Sequence, residues 1–182
     1  LQRRRQRQMC IRDRGNLDDI TLRAIECIKD VDLILCEDTR RSLKLMNHLE
    51  IKKPLKSFHK FNEHSTVEKI IFEIQSGIKV GLISDAGTPS ISDPGYLIVK
   101  MCIDNNIDVE CLPGPTALIP ALAISGLPSE RFTFEGFLPM KKGRKTRLQE
   151  LSLEKRTMIF YESPYKLYLS LIHISEPTRH RG

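Results

Sequence analysis

"KVGLISDAGTPSISDPGYLIVKMCIDNN", residues 79–106, decides the fold. It opens with an apolar strand-like segment, "KVGLISD" (79–85), and closes with an apolar helix-like one, "GYLIVKMCIDNN" (95–106). Between them lies "SDAGTPSISDPG" (84–95), where nothing is bulky. Gly87 and Gly95 can hold positive φ, Pro94 fixes φ at about −65°, and Pro89 also removes a backbone donor. Such a loop lets a ligand approach the backbone closely, and its two carboxylates, Asp85 and Asp93, can hold polar groups or cap the turn.

Outward from this stretch the same strand–helix alternation repeats. "LDDITLRAIECIKD" (17–30) has apolar residues at 20, 22, 25 and 28 and reads as a helix with Asp18 or Asp19 as N-cap. A buried strand follows at 31–38, a helix at 40–50, a strand at 54–60 and a helix at 65–77 closed by Gly77. After the central stretch come a strand at 108–114 and an apolar helix at 115–126. "LPSERF" (127–132) reads as a joint, followed by a strand at 132–138, a helix at 145–153 and a strand at 157–163. Alternation of this kind predicts parallel βαβ units, hence an α/β protein with a parallel-sheet N-terminal domain and the start of a second α/β domain. The strands end in Glu37-Asp38, Ser84-Asp85, Pro113-Gly114 and Glu162-Ser163. Ligands of open α/β sheets bind at strand carboxyl ends, so these residues predict one polar small-molecule cleft; singly, each can equally cap the helix that follows.

The formal charge of +6 suggests a nucleic-acid binder until its location is read. Residues 1–14 carry +5 and residues 169–182 carry +1, so residues 15–168 are formally neutral. Both ends resemble translated sequencing adapter. "LSLIHIS" (169–175) is a reading of CTGTCTCTTATACACATCT, and "MCIRDR" (9–14) is a reading of its reverse complement. Segments 1–14 and 169–182 are therefore expected to be non-native, with an N-terminal domain at 15–128 and a truncated C-terminal domain at 129–168. The segment before Gly15 is too rich in Arg for a buried central strand, so the first strand is expected to be missing. No apolar run approaches the roughly 20 residues of a membrane span. Five cysteines without a CxxC pair predict reduced thiols in a cytoplasmic protein, with Cys27, Cys36, Cys102 and Cys111 in the core. A nicotinamide dinucleotide enzyme is disfavoured, because no G-x-G-x-x-G follows a strand.

Seven stretches, "GNLDDITLRA", "EDTRRS", "HKFNEHS", "ISDAGTPSISDPG", "LPGPTAL", "SGLPSERFTFEGFLP" and "FYESPYKL", resemble the ribosomal RNA small subunit methyltransferase I family of the tetrapyrrole-methylase superfamily. The resemblance covers essentially all of residues 15–168 in order. It implies a two-domain α/β fold, S-adenosyl-L-methionine as methyl donor, 2′-O-methylation of a cytidine in small-subunit rRNA, and a homodimer. By resemblance the donor site takes Ser84, Asp85, Ala86, Gly87, Thr88 and Pro89 from one strand end and Pro113, Gly114, Thr116 and Ala117 from the next, with Glu162. Lacking the first strand and the rest of the second domain, this chain is expected to be impaired in that activity. The alternatives within the superfamily are a porphyrinoid C-methyltransferase and a translation-factor methylase, and an inert fragment is a third.

Methyl transfer from a sulfonium to a ribose hydroxyl needs in-line alignment and a proton acceptor. Candidates for catalysis are Glu37, Asp38, Asn62 and Glu63, with His59 and Asp85 also within the acceptor set. "HKFNEH" lacks tight metal-ligand spacing and no metal site is expected. Arg40 and Arg41 can pair with Asp38 or touch phosphate. "MKKGRKTR" (140–147) puts Lys141, Lys142, Arg144, Lys145 and Arg147 at a helix start, where the macrodipole disfavours cations and RNA phosphate would relieve the cost.

Overall fold

The computed structural model describes residues 5–8, 19–85, 87–140, 142–163, 165 and 167, the first four by backbone alone. The chain divides into two compact units, Leu1–Ala117 and Leu118–Gly182. The division falls one helix before the joint read at 127–132.

In the first unit, β2 (Leu33–Cys36), β3 (Leu55–Ser57) and β4 (Val80–Ile83) form a parallel sheet in the order β3-β2-β4. The crossovers are α2 (Thr39–His48) and α3 (Glu63–Gln75), and α4 (Tyr96–Asp104) leads from β4 to β5 (Asp108–Cys111). Strand side chains alternate between two cores. Ile34, Cys36 and Ile83 meet Ala24, Cys27 and Ile28 of α1 (Leu22–Asp30) and Leu45 and Met46 of α2. Leu35, Val80 and Leu82 meet Val67, Ile70, Ile71 and Ile74 of α3 and Ile98 and Cys102 of α4. Both sheet faces are thus covered, and each fully buried Ile or Leu stabilises by roughly 1.5–3 kcal/mol.

Three expectations are corrected here. The N-cap of α1 is Thr21, whose hydroxyl accepts from Ala24 N–H at 3.1 Å, and not Asp18 or Asp19. Cys27, Cys36 and Cys102 are buried, but Cys111 is exposed at the end of β5. The third concerns the first strand. The backbone of β1 (Arg5–Gln8) pairs parallel with β5, in register from Arg5↔Asp108 to Gln8↔Cys111. Ladder hydrogen bonds are made by backbone groups whatever the side chains, so an Arg-rich segment can still pair with β5. The expected non-native nature of residues 1–14 and 169–182 falls largely on residues outside those described.

The second unit contains α5 (Leu118–Ile124), then β6 (Phe132–Phe137), α6 (Arg144–Leu151) and β7 (Thr157–Tyr161). β6 and β7 pair in parallel with an irregularity between Phe134 and Gly136, completing one βαβ unit. Tyr161 packs its ring edge-on against Phe134.

Candidate functional site

Because the first unit's strands are parallel, their carboxyl ends share one edge. The register Cys36↔Ser57 and Cys36↔Ile83 sets Glu37, Phe58 and Ser84 side by side there. Asp38 caps α2, accepting from Arg40 N–H at 2.9 Å, and the Arg40 guanidinium folds back onto both of its oxygens. These bonds from Arg40 hold the Asp38 carboxyl below its ordinary range. Arg41 reaches the other way, donating to Asp85 Oδ2 at 2.6 Å. Asp85 Oδ1 is buried and has no hydrogen-bond partner among the described residues. Burial, then the charge of Asp85, pushes the Glu37 carboxyl upward.

The loop after β4 is held in an unusual shape. Ser84 Oγ, itself buried, donates to Gly87 C=O at 2.9 Å. Ser90 and Ser92 sit at φ 71° and 66°, in the left-handed region that non-glycine residues seldom adopt. Gly95 sits at φ 134°, and a Cβ there would lie 2.7 Å from Ser90 Oγ and 2.9 Å from Leu82 Cδ2. Glycine is required at that position by both conformation and space. Pro89 is fully buried and Thr88 half-buried. Asp93, pushed to about 6 by burial and then by the charge of Glu37, lies in the same loop. At the end of β5, Pro113 is exposed while Gly114, Thr116 and Ala117 are half-buried.

Two of the catalytic candidates are used as anchors. Asn62 accepts from His59 N–H at 2.7 Å and donates to Ser57 C=O at 3.0 Å, which locks the turn after β3. Glu63 Oε1 accepts from the N–H groups of Gly95 and Leu97, both at 3.2 Å, and so caps α4 from a different helix. Lys60 Nζ donates to Ser92 C=O at 3.0 Å, tying the turn after β3 to the loop after β4. Sequence reading missed these two ties; the glycine immediately before an apolar helix was the one hint that α4 would need a cap from elsewhere.

The structure therefore gathers Glu37, Asp38, Arg40, Arg41, Asn62, Glu63, Ser84, Asp85, Gly87, Thr88 and Pro89 along one edge. Ala86 and Lys141 lie outside the described residues. Glu162 belongs to the second unit, where it faces Arg144 at 3.6 Å. Arg147 there pairs with Glu135 and Glu150, and Arg144 donates to Pro139 C=O. Lys142 and Lys145 are exposed. The five cations are thus not five equal contacts for a polyanion.

Residues 14–176 match the family model for tetrapyrrole (corrin/porphyrin) methylases. A ribosomal RNA small subunit methyltransferase I of Thermotoga maritima is 48% identical over 89% of this chain and 73% of its own length. The enzymes of the same name from a Synechocystis strain and from Pseudomonas aeruginosa are 48% and 50% identical over 86% of the chain, which spans only 57% and 56% of them. Among solved structures, a cobalt precorrin-4 methyltransferase superposes with TM-score 0.61 at 17% identity, covering 92% of this chain and 73% of that one. A uroporphyrin III C-methyltransferase from Thermus thermophilus gives TM-score 0.53 at 18% identity, over 82% and 77%. These two likenesses concern the fold. The chain belongs to the tetrapyrrole-methylase superfamily and, within it, to the ribosomal RNA small subunit methyltransferase I family.

Proposed function

We propose that this chain acts in S-adenosyl-L-methionine-dependent 2′-O-methylation of a cytidine of small-subunit rRNA. The observation that carries the substrate class is the set of relatives near 48% identity, whose shared name states a ribosomal RNA small subunit methyltransferase. The strand-end edge fits a methyl donor. Asp85 Oδ1 is a buried acceptor with no partner among the described residues, which an amino or hydroxyl group of the donor would satisfy. Ser84, Gly87, Thr88 and Pro89 form the thin wall beside it, with Ala86, Pro113, Gly114, Thr116 and Ala117 assigned to the same site.

The bound donor supplies an electrophilic methyl group on a sulfonium. The protein's part is alignment, worth several kcal/mol of the barrier, and removal of the hydroxyl proton. Of the carboxylates along the edge, Asp38 is tied to Arg40 and Glu63 caps α4. Asp85 is paired with Arg41. Of the two remaining acids, Glu37 and Asp93, we assign Glu37 as the acceptor because it stands directly at the end of β2, with a carboxyl raised by burial and by Asp85, which makes it a better proton acceptor near neutral pH. Lys142 and Lys145 contact rRNA phosphate, with Lys141 beside them. Assembly as a homodimer and a cytoplasmic location belong to the same proposal; among the described residues no helix is long and apolar enough to cross a membrane.

The test is incubation with small ribosomal subunits and methyl-labelled S-adenosylmethionine, followed by nuclease digestion. Label in 2′-O-methylcytidine is expected, and Glu37→Gln should lower kcat with little change in donor Kd. Label appearing only in a porphyrinoid acceptor would replace this function with that of the structural neighbours.

A further inference from the structure

Phe61 is 98% exposed, at the tip of the turn that follows β3. A single exposed apolar side chain needs no explanation, and Phe72, 71% exposed on α3, is of that kind. Phe61 stands in a different setting. Its turn is closed on both sides of it, by Asn62 Oδ1 on His59 N–H and by the N–H groups of Asn62 and Glu63 on His59 C=O. The His59 ring lies edge-on to it at 6.0 Å. The preceding residue, Lys60, donates its ammonium to Ser92 C=O and lies close enough to Glu37 and Asp93 to lower both carboxyls. The following helix begins with Glu63, which holds the two N–H groups flanking Tyr96. Tyr96 is 69% exposed. The turn thus presents an aromatic face on a fixed backbone, with a cation beside it, at the edge that carries Glu37 and Asp85.

We propose that Phe61 is a stacking platform for an unpaired base of single-stranded RNA, with Lys60 directed at the adjoining phosphate. This assignment rests on the proposed rRNA substrate and names a positioning surface for it. Unstacked bases are commonly held on aromatic rings, and stacking tolerates any base because each has a π face. A base suits this edge better than a phosphate does, because Glu37, Asp85 and Asp93 repel anions there. Lys60 counters that repulsion locally.

The probe is a short labelled oligocytidylate, followed by fluorescence anisotropy, beside the same oligomer with abasic positions. Phe61→Ala should weaken binding of the intact oligomer about 5- to 150-fold, the range of one stacked base. Phe61→Trp should retain it, which separates stacking from any folding defect. The abasic oligomer should bind wild type and Phe61→Ala alike. Lys60→Ala should lower the slope of log affinity against log salt by about 0.7, while Phe61→Ala leaves that slope alone. Equal binding of the intact oligomer by wild type and Phe61→Ala overturns the proposal and leaves the proposed function standing. So does an equal loss on both oligomers. Phe61-dependent binding by a chain that transfers no label to ribosomal subunits supports the platform and sinks the proposed function instead.

Discussion

The ends of β2 and β4 read alike in sequence and are used differently. β2 runs into Glu37-Asp38 and β4 into Ser84-Asp85, and the register Cys36↔Ile83 brings the two aspartates to the same level of the sheet. Arg41 stands between them, 3.9 Å from Asp38 and 2.6 Å from Asp85. Yet Asp38 is absorbed by its own helix, because α2 begins at the next residue and offers N–H groups within reach. Asp85 has no such helix, since α4 does not begin until Tyr96, and one of its oxygens stays buried without a partner among the described residues. Where the helix follows at once, an acid becomes a cap. Where a loop intervenes, the acid is left for another group.

That difference depends on the loop keeping its shape, which gives the largest expected effect. Gly95→Ala forces a Cβ against Ser90 Oγ and Leu82 Cδ2 at a φ of 134°. The loss should be about 3 kcal/mol or more, combining backbone strain with overpacking. Gly126→Ala, with open space around its Cβ at φ 70°, should cost about 1 kcal/mol. Chemical denaturation of both variants checks the ranking. Similar losses would mean that the loop after β4 can relax around the added methyl.

Next comes the pair of aspartates. Asp85→Asn should weaken S-adenosylmethionine binding about tenfold or more, the effect of losing one charged hydrogen bond, with little change in Tm. Asp38→Ala should lower Tm by a few degrees through loss of the α2 cap and move donor Kd less than Asp85→Asn does. Calorimetric titration and thermal melts of the two variants decide it. If the effects were exchanged, the unpartnered oxygen of Asp85 would have no part in donor binding.

Much of this was legible from local pattern. Apolar runs such as Leu33–Cys36 and Val80–Ile83, each followed by an amphipathic segment, announce parallel strands and crossovers. The small residues of 84–95 announce a close approach to backbone. What escaped was long-range. Glu63 reaches 32 positions along the chain to cap α4, and Arg41 reaches 44 to meet Asp85. No periodicity encodes such partners, so Glu63 looked available for chemistry and Arg41 for phosphate. In the second unit the same holds for Arg147, which reads as a phosphate contact in sequence and pairs with Glu135 on β6 in the fold. β1 escaped for a different reason. Propensity is read from side chains, and Arg5–Gln8 pair through the backbone.

The smallest expected effect sharpens the comparison from inside the loop. Asp93 shares Asp85's loop, and burial together with the charges of Glu37 and Asp85 raises its carboxyl to about 6, against the opposing charge of Lys60. The folded state then holds a proton that the unfolded chain releases near pH 4. Between about pH 4 and 6 the folded state binds more protons, so this group's contribution to stability is fully present below pH 4 and falls as pH rises through 6. Glu154 runs the other way: Arg156 holds its carboxyl down to about 2, so its contribution is present above about pH 4.5 and lost as pH falls toward 2. The two windows barely overlap, which lets one variant isolate the first. Relative to Asp93→Asn, the wild type should lose on the order of 1 kcal/mol between pH 4.5 and 7. Denaturation curves collected across that range check it. Parallel pH profiles would show that Asp93 is solvated in the folded chain, and that the end of β4 leaves only Asp85, not two acids, without a local use.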